Sequence, residues 1–267
     1  MRKTKWQKIT PFILIGIALV FFYLPIILTM IFSFNSSRSL TSWSGFSLTW
    51  YQNLFNDREI ISAVTTTVVV AVVSTIIATI VGTISAIGIS NNKPLIREII
   101  MNINSLPILN PDIVTAIGLM LLFTSLAINK GLVTMLLAHI TFCIPYVILS
   151  VLPKLRRLDP NIAEAALDLG ATPWQALIKV IVPQIMPGII SGALIAFTMS
   201  FDDFVISYFV TGNGVKNISI LVYTMSKRIN PTINALSTIM IVMVTVILVA
   251  INIIPLFSKK KERTVLE

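Results

Sequence analysis

Long runs without a single charge leave this chain few ways to fold. Uncharged stretches cover 9–37, 60–92, 131–153, 180–201 and 229–258, and a further run, 99–129, is interrupted only by Asp112. About 20 mostly apolar residues suffice for a helix to cross a bilayer. Within lipid every backbone N–H and C=O must be paired inside the segment, which favours helices. The expectation is an all-α membrane protein with six transmembrane helices, at about 9–34, 61–90, 99–127, 131–153, 182–210 and 232–257. Those spans make residues 1–267 one transmembrane domain.

The charges agree with that class. Only 12% of residues are charged, mean hydropathy is +0.90 and net charge is +9, against about 25% charged in soluble domains. The basic residues sit at the ends of runs and not on one face, so they set topology and do not mark a nucleic-acid surface. The basic start, 1–8, leads into a run too long for a signal-peptide core, which implies a retained first span. Six spans put both termini on one side. That side takes 14 of the 20 Lys and Arg, in 2–8, 93–97, 154–179 and 259–263. The bias predicts cytoplasmic termini and a cytoplasmic 159–183 loop. The 39–59 segment, with Trp43, Trp50 and Tyr51, then lies outside. Trp50 has two readings, an anchor at the lipid–water boundary or an aromatic face for a cation.

The 159–183 loop carries two helix starts. Asp159-Pro160 pairs an N-cap with a proline in the first turn, and Gly170 marks a stop. Ile162, Ala165, Ala166 and Leu169 fall on one apolar stripe, with Glu164 and Asp168 on another face. Thr172-Pro173-Trp174-Gln175 has capping-box spacing, and Pro183 ends or kinks the second helix. The result is a small elbow that either packs under its own bundle or is gripped by another protein.

Glu164-Ala165-Ala166, then Gly170, then Val180, Val182 and Pro183 resemble the coupling loop of ABC-importer permeases, with valines where isoleucine and leucine are commoner. Further segments extend the likeness: Phe34-Asn35-Ser36-Ser37, Thr49-Trp50-Tyr51, Pro111-Asp112-Ile113-Val114, His139 to Pro145, Ser200-Phe201-Asp202-Asp203 and Val210-Thr211-Gly212. Over nearly its full length the chain is most similar to the second permease of bacterial spermidine/putrescine uptake systems. The resemblance implies the type I importer fold. It implies that Glu164, Ala165, Ala166, Asp168 and Gly170 couple to a cytoplasmic ATPase. It implies as partners a second permease in a heterodimer, two ATPase copies holding ATP and Mg, an extracytoplasmic substrate-binding protein and the bacterial cell membrane. Polyamine is the implied cargo, with ferric iron, thiamine or another cation as the alternative.

Acidic residues within apolar runs mark function. Asp202 and Asp203, with Ser200 on the same face as Asp203, either sit wet at the outer end of span five or receive ammonium groups. Asn110-Pro111-Asp112 reads as a helix start after a break at Pro107, where the helix dipole favours Asp112, and Asp112 also reads as lining the substrate path; the two are compatible, because broken helices line transport sites. His139 reads as a packed polar residue. One His and one Cys (Cys143) cannot build a zinc site. No Gly-x4-Gly-Lys-Ser/Thr loop occurs, so ATP binding and any cofactor are assigned to the partner ATPase. No catalytic set appears, so the chain is expected not to be an enzyme.

Overall fold

The computed structural model describes residues 5–39, 41–159, 161–212, 214–226, 230–246 and 249, with side chains from residue 11 onward. The chain divides into two compact units, residues 1–60 with 222–267, and residues 61–221.

In the first unit, α1 (Lys5–Phe32) presents apolar side chains all round, which suits lipid. The segment after it turns on Asn35. Its amide donates to the Ser39 and Ser42 carbonyls at 3.0 and 2.8 Å and accepts from Ser44 N–H at 2.8 Å. Gly45 closes the turn at φ +121°, a conformation that favours glycine. α2 (Thr49–Asn56) follows. Helix α12 (Thr232–Val246) is apolar. The expected sixth span, 232–257, lies beyond residue 246 almost wholly outside the described residues.

The 61–221 unit contains nearly all of α3 (Arg58–Ser90), α4 (Pro94–Leu109), α5 (Asp112–Ser125) and α6 (Leu132–Leu155). The short α7 (Ile162–Asp168) and α8 (Pro173–Ala176) lead to α9 (Val182–Asp202), α10 (Val205–Val210) and the first residues of α11 (Ile218–Ser226). Among the described residues four helices are long and apolar enough to cross a membrane, and α4 with α5 passes that test as a pair bent by 102°. The bend lies at Asn110-Pro111, three residues beyond the expected break at Pro107. Pro107 is carried inside α4. At Pro111 the ring forbids a helical conformation to the residue before it, and both residues are extended, with ψ of 144° and 137°.

Span five also differs from expectation. Pro183 does not end its helix. The five residues before it, Leu177–Ile181, form a π-helical turn, and the helical segment runs unbroken from Pro173 to Asp202. A proline clashes with the carbonyl four residues back, and a widened turn moves that carbonyl away. At its other end the helix stops at Asp202, not at 210, because Asp203 is extended (ψ 126°).

The core of this unit is a close approach of three helices. Val147 on α6 is wedged between Gly82 on α3 and Gly192 on α9. A Cβ on Gly82 would stand 2.7 Å from Val147 Cβ, and one on Gly192 would stand 3.1 Å from Val147 Cα. Gly188, Gly192, Ala196 and Ser200 form a row of small buried residues four apart along α9, the small-xxx-small pattern that lets helices meet closely in lipid. Gly82→Leu or Gly192→Leu should therefore destabilise the fold by about 1–3 kcal/mol from overpacking. Thermal unfolding of the purified protein should show a lowered Tm for both. Gly118→Leu, where a Cβ meets nothing within 4 Å, should hold the parental value.

Candidate functional site

Between the bend in α4/α5 and the broken end of α9 lies a cavity of about 280 Å³. Asp112, Asp202 and Asp203 all line it, with Thr115, Thr198, Phe142 and Tyr146. The two breaks create it. One sets Asp112 in the first turn of α5 and the other sets Asp202 at the last position of α9. No Lys or Arg is among the lining residues. Asp112 and Asp202 are exposed, and neither carboxylate has a hydrogen bond or ion pair among the described residues. Two uncompensated carboxylates in a cavity also lined by Phe142 and Tyr146 have the chemistry to attract cationic groups.

Asp203 is different. Its Oδ1 accepts from Ile206 N–H at 3.2 Å. Its Oδ2 accepts from the N–H and the hydroxyl of Ser207, both at 2.7 Å. The carboxylate thus caps α10 across the chain break, while Asn217 Nδ2 donates to the Asp203 carbonyl and to Ser207 Oγ, each at 2.9 Å. His139, only 1% exposed, continues the network. Its Nε2 lies 2.9 Å from Ser207 Oγ and 3.4 Å from Asp203 Oδ2, and its Nδ1 lies 2.7 Å from Ser200 Oγ. Ser200 Oγ lies 2.9 Å from Ser74 Oγ on α3.

Ser207 has a single hydroxyl hydrogen, which goes to Asp203, so Ser207 Oγ accepts from His139 Nε2–H and from Asn217. The other ring nitrogen, Nδ1, shares a hydrogen bond with the Ser200 hydroxyl, and Ser200 shares one with Ser74. The chain runs from α3 through α9 and α6 to α10 with no unpaired member. Ser200 is thereby buried in the network and does not line the cavity, contrary to the expectation from sequence. His139 packs as expected. Ser74, Ser207 and Asn217 were missed. They are isolated polar residues in apolar sequence, and only their shared position on inward helix faces could have signalled them.

Trp50, expected on the substrate path, is 8% exposed and donates its indole N–H to the Asn35 carbonyl at 2.6 Å. It pins the turn after α1 and has neither a lipid-facing nor a free aromatic role.

The elbow forms as two capped turns. Asp159 Oδ1 accepts from Asn161 N–H at 2.9 Å, although Asn161 and not Asp159 directly precedes α7. Pro160 lies outside the described residues. Thr172 and Gln175 exchange both capping-box bonds, at 3.0 and 3.3 Å. Gly170 has φ +83° and reverses the chain between them. Ala166 is buried against the elbow, while Glu164, Ala165 and Asp168 are exposed. The expected apolar stripe loses Leu169. It falls past the end of α7 and is 89% exposed. Trp174 is also exposed. Glu164 and Asp168 have no basic partner among the described residues. The elbow thus offers unpaired carboxylates beside uncovered apolar side chains, a surface suited to another protein.

Residues 78–261 match the family described as "Binding-protein-dependent transport system inner membrane component". The putrescine transport system permease protein PotI of Escherichia coli (strain K12) is 38% identical over 244 residues, covering 86% of this chain and 84% of that protein. The spermidine/putrescine transport system permease protein PotC of the same strain is 37% identical over 235 residues, covering 88% and 89%. Among solved structures, a bacterial ABC transporter involved in the import of the acidic polysaccharide alginate has a chain that superposes with TM-score 0.72. That match covers 96% of this chain and 98% of that one at 14% identity. A second alginate transporter structure, in complex with a pentasaccharide-bound periplasmic protein, gives 0.67 at 15% identity, covering 93% and 96%. These two share the fold alone.

The geometry separates the adjacent carboxylates. Asp203→Asn should lower the Tm of the purified protein, because an amide cannot accept three hydrogen bonds at those positions without turning an N–H toward a donor. The expected cost is about 1–3 kcal/mol. Asp202→Asn should leave Tm unchanged. Equal melting of the two variants would contradict the capping role of Asp203.

Proposed function

The chain belongs to the family of binding-protein-dependent transport system inner membrane components, and from that premise we propose that it is a permease subunit that conducts polyamines in an ATP-driven importer. The observation that carries the cargo is the acidic cavity. A polyamine is a flexible hydrocarbon bearing separated ammonium groups. Asp112 and Asp202 offer separate carboxylates for those groups, and Phe142 and Tyr146 offer faces for the methylenes. The printed names of the similar PotI and PotC proteins support the same cargo. A ferric cargo is less well supported: among the described residues no three His, Cys, Asp or Glu side chains converge to hold a metal ion.

The mechanism is alternating access. A cytoplasmic ATPase pair, holding ATP and Mg, grips the elbow through Glu164, Asp168 and the apolar residues around them. Closure of that pair moves α7, and the motion passes through the π-helical turn into α9. The far end of α9 carries Asp202, so a pull on the elbow reaches the cavity along one continuous helical segment. A second permease supplies the remaining cavity wall, and an external binding protein delivers the substrate. Both termini lie in the cytoplasm, as the 14-of-20 bias of basic residues supports.

Uptake of radiolabelled spermidine and putrescine into proteoliposomes holding the complete complex tests this reading. Asp112→Asn and Asp202→Asn should each slow uptake tenfold or more, as the loss of a charged hydrogen bond worth about 1.5–3 kcal/mol implies. Normal uptake by both variants would remove the cavity from the path. Gly170→Pro, which cannot adopt φ +83°, and Glu164→Ala should insert normally. In both, ATP hydrolysis should no longer respond to polyamine and binding protein.

A further inference from the structure

At the end of α6 that leads into the elbow, α4 and α6 leave a second cavity, a crevice of about 420 Å³. It is lined by Met101, Leu149, Leu152 and Pro153, together with Arg156 and Arg157 just past the end of α6. It shares no lining residue with the acidic cavity. Leu149 is 39% exposed, and Pro153, Arg156 and Arg157 are exposed, so the crevice opens outward from its own unit. Neither guanidinium has an ion pair or side-chain hydrogen bond among the described residues. The carboxylate nearest in sequence, Asp159, is occupied by Asn161 N–H.

The depth of the crevice is set by α6. Its 24 residues extend about 36 Å at 1.5 Å each, slightly more than the roughly 30 Å hydrocarbon layer. The last turn therefore sits at the edge of the hydrocarbon, and Arg156 and Arg157 sit among the headgroups. Guanidinium forks match phosphate oxygens. A small soluble anion has no use for the apolar slot beneath them, and an uncharged hydrophobic ligand has no use for two unpaired cations.

We propose that this crevice binds an anionic phospholipid, with an acyl chain along Met101, Leu149 and Leu152 and the phosphate on Arg156 and Arg157. The lipid bridges α4 and the end of α6 immediately before the elbow, so membrane composition bears on how that end of α6 is held. The assignment rests on the membrane span alone and is independent of the cargo.

The test uses the complete complex extracted from bilayers of phosphatidylcholine doped with phosphatidylglycerol or cardiolipin, with bound lipid read by native mass spectrometry. The parental complex should retain the anionic lipid in preference to phosphatidylcholine. Arg156→Gln with Arg157→Gln should weaken retention roughly thirtyfold, from about a fivefold contribution of each cation at a membrane surface. Leu149→Trp, which fills the slot and leaves both cations, should also weaken it. The Arg156→Lys and Arg157→Lys pair should retain most of the lipid. Unchanged retention in the Gln pair would overturn the proposal, as would equal retention of phosphatidylcholine. Displacement of the lipid by inorganic phosphate would reassign the site to a free anion, and loss of another subunit from the Gln pair would reassign it to a protein contact.

Discussion

The 61–221 unit depends on how a broken helix is kept whole inside a membrane. Ending α9 at Asp202 frees backbone groups and places two carboxylates at the break, where lipid offers no hydrogen bonds. Asp203 resolves the problem locally. It caps α10, and His139, Ser200 and Ser74 tie that cap back through α6 and α9 to α3. An unsatisfied member of such a network would carry a desolvation cost of about 1–3 kcal/mol, so the network stands or falls together. With Asp203 fully engaged, its neighbour Asp202 remains available to a ligand. One acid builds the corner and the adjacent acid is presented by it.

Close packing makes the same region a lever. Glycines at 82, 188 and 192 bring α3 and α9 onto α6 with little room for relative sliding. The path from the elbow to the cavity follows a single helical segment that carries a π-helical turn ahead of Pro183 and a second proline, Pro187, within α9. π-bulges recur at functional positions in helices, and this one lies where the elbow joins the span. The polar network at one end and the glycine row in the middle suit α9 to transmit a displacement as a rigid body. Interfaces of this kind switch between packed arrangements and do not deform continuously.

Much of this was legible in the sequence, and the failures follow a pattern. Uncharged runs located α1, α3, α6 and α9, because burial in lipid imposes composition on every face of a helix. Thr172 with Gln175 and the glycine at 170 announced the elbow, because capping is a local matter of side chain and backbone. The breaks were placed less well. Pro107 and Pro183 are absorbed into helices, while Pro111 and Asp203 interrupt them. The difference lies in how each neighbouring turn is packed, which residue spacing does not encode. Ser200 and Trp50 were assigned to the substrate path because polar and aromatic residues in apolar surroundings suggest function. Both are instead consumed by structure, Ser200 by His139 and Ser74, Trp50 by the Asn35 carbonyl. Asp112, Asp202 and Asp203 stood out one by one as acids in apolar runs, but their convergence in one cavity is a feature of the fold. It required two helix breaks to meet, and no local pattern states that.

The central claim is that polyamine passes through the cavity at these two breaks, held by Asp112 and Asp202 while Asp203 remains committed to the corner. A map of the complete complex trapped with spermidine tests it most directly. An elongated cation should appear between α5 and the end of α9, with ammonium nitrogens within hydrogen-bonding distance of the Asp112 and Asp202 carboxylates and the Ser207–Asp203 bonds intact. Spermidine lodged elsewhere, with both carboxylates facing only water, would contradict it.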